Sequence, residues 1–297
     1  MKQGHSISAK MQRALVICVN YHNEKETQEF VLDLLGLESN ELLRILVIDN
    51  GRGKNLNKAL NEIRKLDSRV QVLKARKNMG YLGAAQWGLR EFLSKEPLPD
   101  WVMVSNTDIR MCQYDFLTRL FLYYPNDAPA VIAPSILSMS SLRDQNPYMV
   151  HRPSKMRMKF YKRVFNYYYG YLLYELFSTA KDKLIKNMVR SISVILGKRN
   201  FAKLKPRRIY APQGSFMIFH KIYFDMGAGF DYGVFLFGEE IFVAESARHF
   251  GLTVRYDPRL RIMHKRHSTV GTDLKIRRKT ARYVRDASSY CADTFFS

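Results

Sequence analysis

The sequence predicts an α/β domain on a mainly parallel sheet, from three observations. Short apolar, β-branched runs recur through the first half of the chain, each ends on polar turn-forming residues, and segments of helical periodicity separate them. In such sheets a ligand sits beyond the carboxyl ends of the strands, so the polar tips are the residues to follow.

RALVICVNYHN (13–23) reads as the first strand, buried on both faces until it reaches Asn20 and Tyr21. TQEFVLDLLGL follows as a helix, with Phe30, Val31, Leu34 and Leu35 on one face and Glu24 or Thr27 near its start. RILVIDNG (44–51) is the second strand, ending in Asp49-Asn50-Gly51, and NLNKALNEIRKL the second helix. QVLKARKNMG (71–80) supplies a third strand and a loop, AAQWGLREFLS a helix, and WVMVSNTD a fourth strand ending at Asn106-Thr107-Asp108. AVIAPSIL (130–137) is a further strand. Residues 155–208 then break the pattern: aromatic, methionine-rich and basic, they read as two or so amphipathic helices broken near Gly170 and Gly197. From Ile209 the alternation resumes, with IYAPQGSFMIFHK as a strand pair, EEIFVAESARHFG as a helix closed at Gly251, and TVRYDPRLRIMH as the last strand. KIRRKTARYVRD (275–286) is a basic C-terminal helix. The expected organisation is therefore 1–150, a 151–208 insertion, and 209–297.

Composition bounds the partners. The chain has 297 residues, 46% of them hydrophobic, enough for a sizeable core. Cys18, Cys112 and Cys291 are odd in number and widely spaced, which suggests neither a disulfide framework nor a zinc site and fits a reducing cytosol. MKQGHSISAK holds no apolar signal core, and no run of about 18 uncharged apolar residues occurs. The formal net charge is +21. Between His151 and Arg208 stand 16 Lys and Arg against Glu175 and Asp182, so about two thirds of the surplus is one local patch.

Neither GxGxxG nor GxxxxGK[ST] follows the first strand, which argues against a dinucleotide-binding Rossmann domain and a P-loop NTPase. Taken singly, Asp49 reads as a turn or cap residue, Asn78 and Gly80 as ordinary turn chemistry, and Asp108 as a cap for a helix starting near Gln113. Together, four adjacent tips of Asn, Asp and Gly line one crevice suited to a nucleotide, with a carboxylate available to a divalent metal against phosphates.

VNYHN, IDNG, KNMGYLGAAQWG, SNTD, FLFGEEIFVAESARHFG and MHKRHST occur in the order and spacing of the inverting family 2 glycosyltransferases. Over residues 13–137 and 209–270 the chain resembles these GT-A-fold enzymes, especially the bacterial branch similar to rhamnosyltransferases of O-antigen, capsule and cell-wall assembly. The resemblance implies that Asn20 and Tyr21 meet the nucleotide, that Asp49 contacts the base, and that Asn78 and Gly80 open a loop over the nucleotide sugar. It puts Asn106-Thr107-Asp108 at the DxD position, with Asn106 replacing the leading acid, so that Asp108 becomes the main protein ligand of a Mg or Mn ion. Glu239-Glu240 falls on the ED motif, which implies a general base at Glu240 with Glu239 as neighbour or alternate; the other reading is two acids favouring a helix N-terminus. His264 matches a metal-completing histidine, with His267 as competitor and Lys265 or Arg266 as diphosphate contacts. Gln213-Gly214-Ser215 is either the floor of the acceptor site or a plain turn. Gln86 stands where the family usually has Asn, and Trp87 beside it reads as core.

The implied donor is a dTDP- or UDP-linked sugar. The basic aromatic segment reads as a docking surface for an anionic membrane, where a polyprenyl-diphosphate-linked saccharide acceptor would be met, putting the protein in the cytoplasm, peripheral on the inner face of the plasma membrane. Homo-oligomerisation through the same aromatics is compatible with this. Nucleic acid is the rival partner, and it is not expected because no RNP, zinc-finger or helix-turn-helix pattern accompanies the charge. The alternative of another class is a non-catalytic nucleotide- or nucleic-acid-binding protein on the same fold.

Overall fold

The computed structural model describes residues 12–51, 56, 58–123, 128–141, 143–178, 205–265 and 274–297. The expectations for Gly197, Arg266 and His267 lie outside the described residues.

The strands are β1 (Ala14–Asn20), β2 (Leu43–Asp49), β3 (Val70–Lys74), β4 (Trp101–Asn106), β5 (Ile109–Arg110), β6 (Val131–Ser138), β7 (Arg207–Ile209), β8 (Phe216–His220) and β9 (Val254–His264). They form one sheet in the order β3-β2-β1-β4-β8-β6-β9-β5, with β7 added to β9. The first four in that order run parallel. β8 is antiparallel to both β4 and β6, and β6 pairs with β9 in parallel. The expected α/β class with GT-A architecture is the one observed.

Residue alternation explains why β1 is apolar at almost every position. Leu15 and Ile17 point to the face covered by α3 (Tyr81–Leu93) and α8 (Glu239–His249). Ala14, Val16 and Cys18 point to the opposite face, covered by α1 (Glu24–Leu35), α2 (Lys58–Arg64) and α4 (Phe116–Phe121). Both faces are dry, so a polar residue enters only where the strand leaves the sheet. Phe30, Leu34, Trp101, Phe116 and Phe219 are fully buried, and side chains of this size each stabilise the fold by about 1.5–3 kcal/mol. Trp87 packs against the α3 side of this core, as expected.

Three of the remaining helices form a further layer. α5 (Lys155–Phe165) and a segment helical over 168–178 (α6) separate β6 from β7; α7 (Lys221–Asp225) follows β8. α5 and α6 pack on α9 (Leu274–Phe295) through Phe165, Tyr171 and Ala281, with Val164, Leu172 and Val284 around them. Lys162 pairs with Asp293 at 2.6 Å across α5 and α9.

Three local expectations are corrected. β7 and β8 are not a pair: β7 lies on β9, while β8 is inserted between β4 and β6. The break in the insertion comes at Asn166 and Tyr167 rather than at Gly170, which is helical. Gly170 is needed there for close approach, since a Cβ on it would stand 2.1 Å from the Val164 carbonyl oxygen. Asp108 does not cap α4, whose N-cap position is Asp115.

Candidate active site

Strand register brings the polar tips to one edge. Asn20 lies opposite Asp49, Asp49 opposite Lys74, and Val19 opposite Asn106. The antiparallel β8 adds its entrance to the same edge, because the Asn106 N–H donates to the Ser215 carbonyl at 2.9 Å. β5 against β9 sets Ile109 opposite His264, next to Asp108.

On the β1–β3 side the polar groups hold one another. Asp49 is buried, accepting from the Gly51 N–H at 3.0 Å and from Lys74 Nζ at 2.8 Å. Asn50 organises the loop before α3: its Nδ2 donates to Asn78 Oδ1 at 3.0 Å and to the Gly80 carbonyl at 2.9 Å, and its Oδ1 accepts from the Met79 N–H at 2.9 Å. Asn78 Oδ1 also accepts from the Gly80 N–H. Asn20 is fully enclosed, with Oδ1 accepting from the Asn23 N–H and from Thr27 Oγ1, while its buried Nδ2 has no hydrogen-bond partner. Tyr21 is exposed at the same tip, its ring edge-on to His22 at 4.5 Å. Asn106, half-buried, closes the row.

Asp108 and His264 meet at the far end of this row, with Asp108 Oδ2 3.1 Å from His264 Nε2. His264 Nδ1 lies 2.8 Å from Gln145 Oε1, so the ring is held from both sides with Nε2 toward the carboxylate. A carboxylate oxygen and a ring nitrogen this close can share one metal ion. The donor set suits Mg or Mn, which take one or two protein ligands and complete their shell with water and phosphate oxygens. Among the described residues no cluster of three or more His, Cys, Asp or Glu side chains forms a metal cage. Lys265 is tied to Glu29, and Arg110 to Asp33 and Glu29, so both cations beside this corner are already engaged.

The carboxylate pair opens α8 on the other side. Glu239 is buried and accepts from the Phe237 N–H at 2.9 Å. Glu240 is half-buried and accepts from the Gly214 N–H at 3.3 Å, so the Gln213-Gly214-Ser215 turn holds it. Burial, and then the charge of Glu240, push Glu239 up to about 8; burial also raises Glu240. Glu239 is the more enclosed of the two, and Glu240 is the one that the Gly214 turn holds. An anionic carboxylate, desolvated and held by one N–H, is equipped to take a proton from a hydroxyl.

The two sides are clamped together at one point. Gly80 has φ +75°, and a Cβ there would lie 1.8 Å from the Phe235 carbonyl oxygen, in the loop that leads to Gly238 and the carboxylates. Only glycine satisfies both conditions.

Sequence reasoning named most of these residues but missed four. Asn50 was quoted within IDNG and passed over for Asp49, although it makes more of the loop's contacts. Lys74 and Gln145 carry no motif, and only the fold brings them to Asp49 and His264. Tyr148 is half exposed, and the charge of Glu240 holds its phenol above its ordinary range. Gln86, noted as a departure, accepts from the Phe230 N–H at 2.9 Å and fixes the loop before α8.

The family model described as glycosyl transferase family 2 matches residues 15–186, which takes in the row of tips and ends before Glu239 and His264. A search of curated proteins finds no match. Among solved structures, GalNAc-T7 with UDP, GalNAc and Mn2+ is similar with a TM-score of 0.58 and 14% identity, over 87% of this chain and 44% of that one. The chain thus spans less than half of that protein's length. A mannosyltransferase from Pyrobaculum calidifontis in complex with GDP-Man and Mn2+ is similar with a TM-score of 0.50 and 12% identity, over 96% of this chain and 70% of that one. At such identities the likeness is one of fold. The family model covers more than half of the sequence, and the chain belongs to glycosyl transferase family 2.

Proposed function

We propose that the protein is an inverting glycosyltransferase moving a sugar from a dTDP- or UDP-linked donor to a lipid-linked saccharide in bacterial surface polysaccharide synthesis, of the rhamnosyltransferase-like kind. The observation that carries this reading is the opposition of two unlike centres along one strand-end edge: the Asp108–His264 corner and the desolvated Glu239–Glu240 pair. In this reading Glu240 takes the proton of an acceptor hydroxyl, whose oxygen bonds to the anomeric carbon. The bond from that carbon to the diphosphate oxygen breaks from the opposite face, and the nucleoside diphosphate leaves with the electron pair. Asp108 and His264 would hold a divalent ion that neutralises charge on the leaving diphosphate. Asn20, Tyr21, Asp49, Asn78, Gly80 and Asn106 form the nucleotide-sugar side.

The insertion supports a membrane-facing role. Met156, Phe160, Tyr169, Leu176 and Phe177 on α5 and α6, and Tyr167 between them, are all more than half exposed, among exposed Lys155, Arg157, Lys159 and Arg163. Apolar and basic side chains mixed on one surface suit an anionic bilayer, where a polyprenyl-diphosphate-linked acceptor is reached from the cytoplasmic face. No helix among the described residues is long and apolar enough to cross a membrane.

Thermal denaturation with UDP or dTDP, with and without Mg2+ or Mn2+, tests the reading. Stabilisation by a nucleoside diphosphate is expected, with its metal-dependent part lost in Asp108→Ala. No stabilisation with any of these ligands would sink it.

A further inference from the structure

Tyr81 is the first residue of α3, directly after the glycine clamped against Phe235. It is 91% buried, and its hydroxyl oxygen is fully enclosed with no hydrogen-bond partner. A buried hydroxyl left so costs on the order of 1–3 kcal/mol, and native interiors rarely keep one without a use. The phenol lies within electrostatic reach of both centres: besides burial, the charges of Glu239, Glu240 and Asp108 and the thiol of Cys18 hold it well above its ordinary range, so it stays an O–H donor. Its backbone cannot drift, because Asn50 fixes the Gly80 carbonyl and a van der Waals wall at Phe235 faces the Gly80 Cα. It shares the condition of an enclosed, unused donor with Asn20 Nδ2 at the tip of β1.

We infer that the Tyr81 hydroxyl is a hydrogen-bond donor to the glycosyl group of the donor substrate, and so a specificity-determining residue of the site. The inference rests on the transferase reading above. A donor within reach of both the base for the acceptor and the corner for a diphosphate is placed to meet what lies between acceptor and diphosphate in the reaction, which is the transferring sugar. A sugar hydroxyl or ring oxygen is the acceptor chemistry that this O–H lacks. A site built to donate to such an atom discriminates strongly against a sugar that lacks it, because the phenol is then left unpaired again.

The test compares the full-length protein with Tyr81→Phe, which removes one oxygen and keeps the ring. Hydrolysis of UDP-glucose, UDP-galactose, dTDP-rhamnose and GDP-mannose, with water as acceptor, gives kcat/KM without knowledge of the natural acceptor. UDP and dTDP binding with Mn2+ is measured alongside, and the ligand-free Tm reports folding. The expected result is a roughly 10- to 100-fold lower kcat/KM on the best donor and a weaker discrimination among the four sugars. Nucleoside diphosphate affinity should stay within about two-fold and the ligand-free Tm should not fall, since no hydrogen bond is lost. Turnover by the wild type with an unchanged profile in Tyr81→Phe overturns the assignment and leaves the transferase reading standing. An equal loss of UDP or dTDP binding overturns it in favour of a diphosphate contact. Failure of the wild type to bind or hydrolyse any of these compounds overturns both.

Discussion

The two sides of the strand-end edge are built on opposite principles. On the β1–β3 side, all but the Asn20 Nδ2 of the buried polar groups described hold one another: Asp49 is met by Lys74 and Gly51, and Asn50 by Asn78, Met79 and Gly80. On the β8–α8 side, burial raises both carboxylates, Glu239 up to about 8, next to a half-exposed Tyr148 and the exposed aromatics of α5 and α6. A satisfied network is rigid and fixes shape, which suits a constant part of a substrate. A desolvated acid is reactive, and an open aromatic surface is adaptable, which suits proton transfer and a variable partner. The contrast separates positioning from chemistry within one crevice.

If that separation holds, the largest effect belongs to the reactive side. Glu240→Gln is expected to lower glycosyl transfer by about 10²- to 10⁴-fold while leaving UDP or dTDP binding intact, measured by initial rates and calorimetry. Loss of nucleotide binding instead would mean that the two sides are not separate. Next comes the open surface. Replacing Lys155, Lys159 and Arg163 together by Gln should weaken binding to phosphatidylcholine vesicles containing phosphatidylglycerol by roughly 100-fold, at about 1 kcal/mol per cation, with donor hydrolysis in solution unchanged. If those replacements abolish self-association or RNA binding while vesicle binding persists, the surface serves another partner.

On the satisfied side the effect is on stability. Lys74→Ala leaves the Asp49 carboxylate, 7% exposed, without its cation and should cost about 3 kcal/mol in urea unfolding. A change below about 0.5 kcal/mol would show that the network is not what holds the loop. The smallest effect is on titration. Because Glu239 has a raised value in the folded chain, the native state binds a proton that the unfolded chain has released, so stability is greatest near pH 5 and declines as pH rises toward about 8. Glu239→Gln should flatten this decline.

Much of this was legible in the sequence, for identifiable reasons. β1 to β4 and their helices announced themselves because a strand dry on both faces must be apolar until it ends, so the polar tips were marked by contrast. Asp108, His264 and the Glu239-Glu240 pair were legible as motifs. Lys74 and Gln145 were not, because each acts through register with a strand or side chain distant in sequence. The placement of β7 and β8 was misread as a pair for the same reason: local pattern identifies a strand but does not choose its neighbour. Gly170 looked like a helix breaker, whereas the crossing of α5 and α6 needs a residue without a side chain.

The sequence by itself determined the α/β class, the order of elements, the charged aromatic insertion and the residues at the strand ends, because hydrophobic periodicity and turn chemistry are local properties. Only the tertiary structure decided that Asn50 governs the Gly80 loop, that burial raises both acids of the Glu239–Glu240 pair, and that the Tyr81 hydroxyl is enclosed without a hydrogen-bond partner. These depend on burial and on which atoms meet across the sheet, and desolvation is a property of the packed whole.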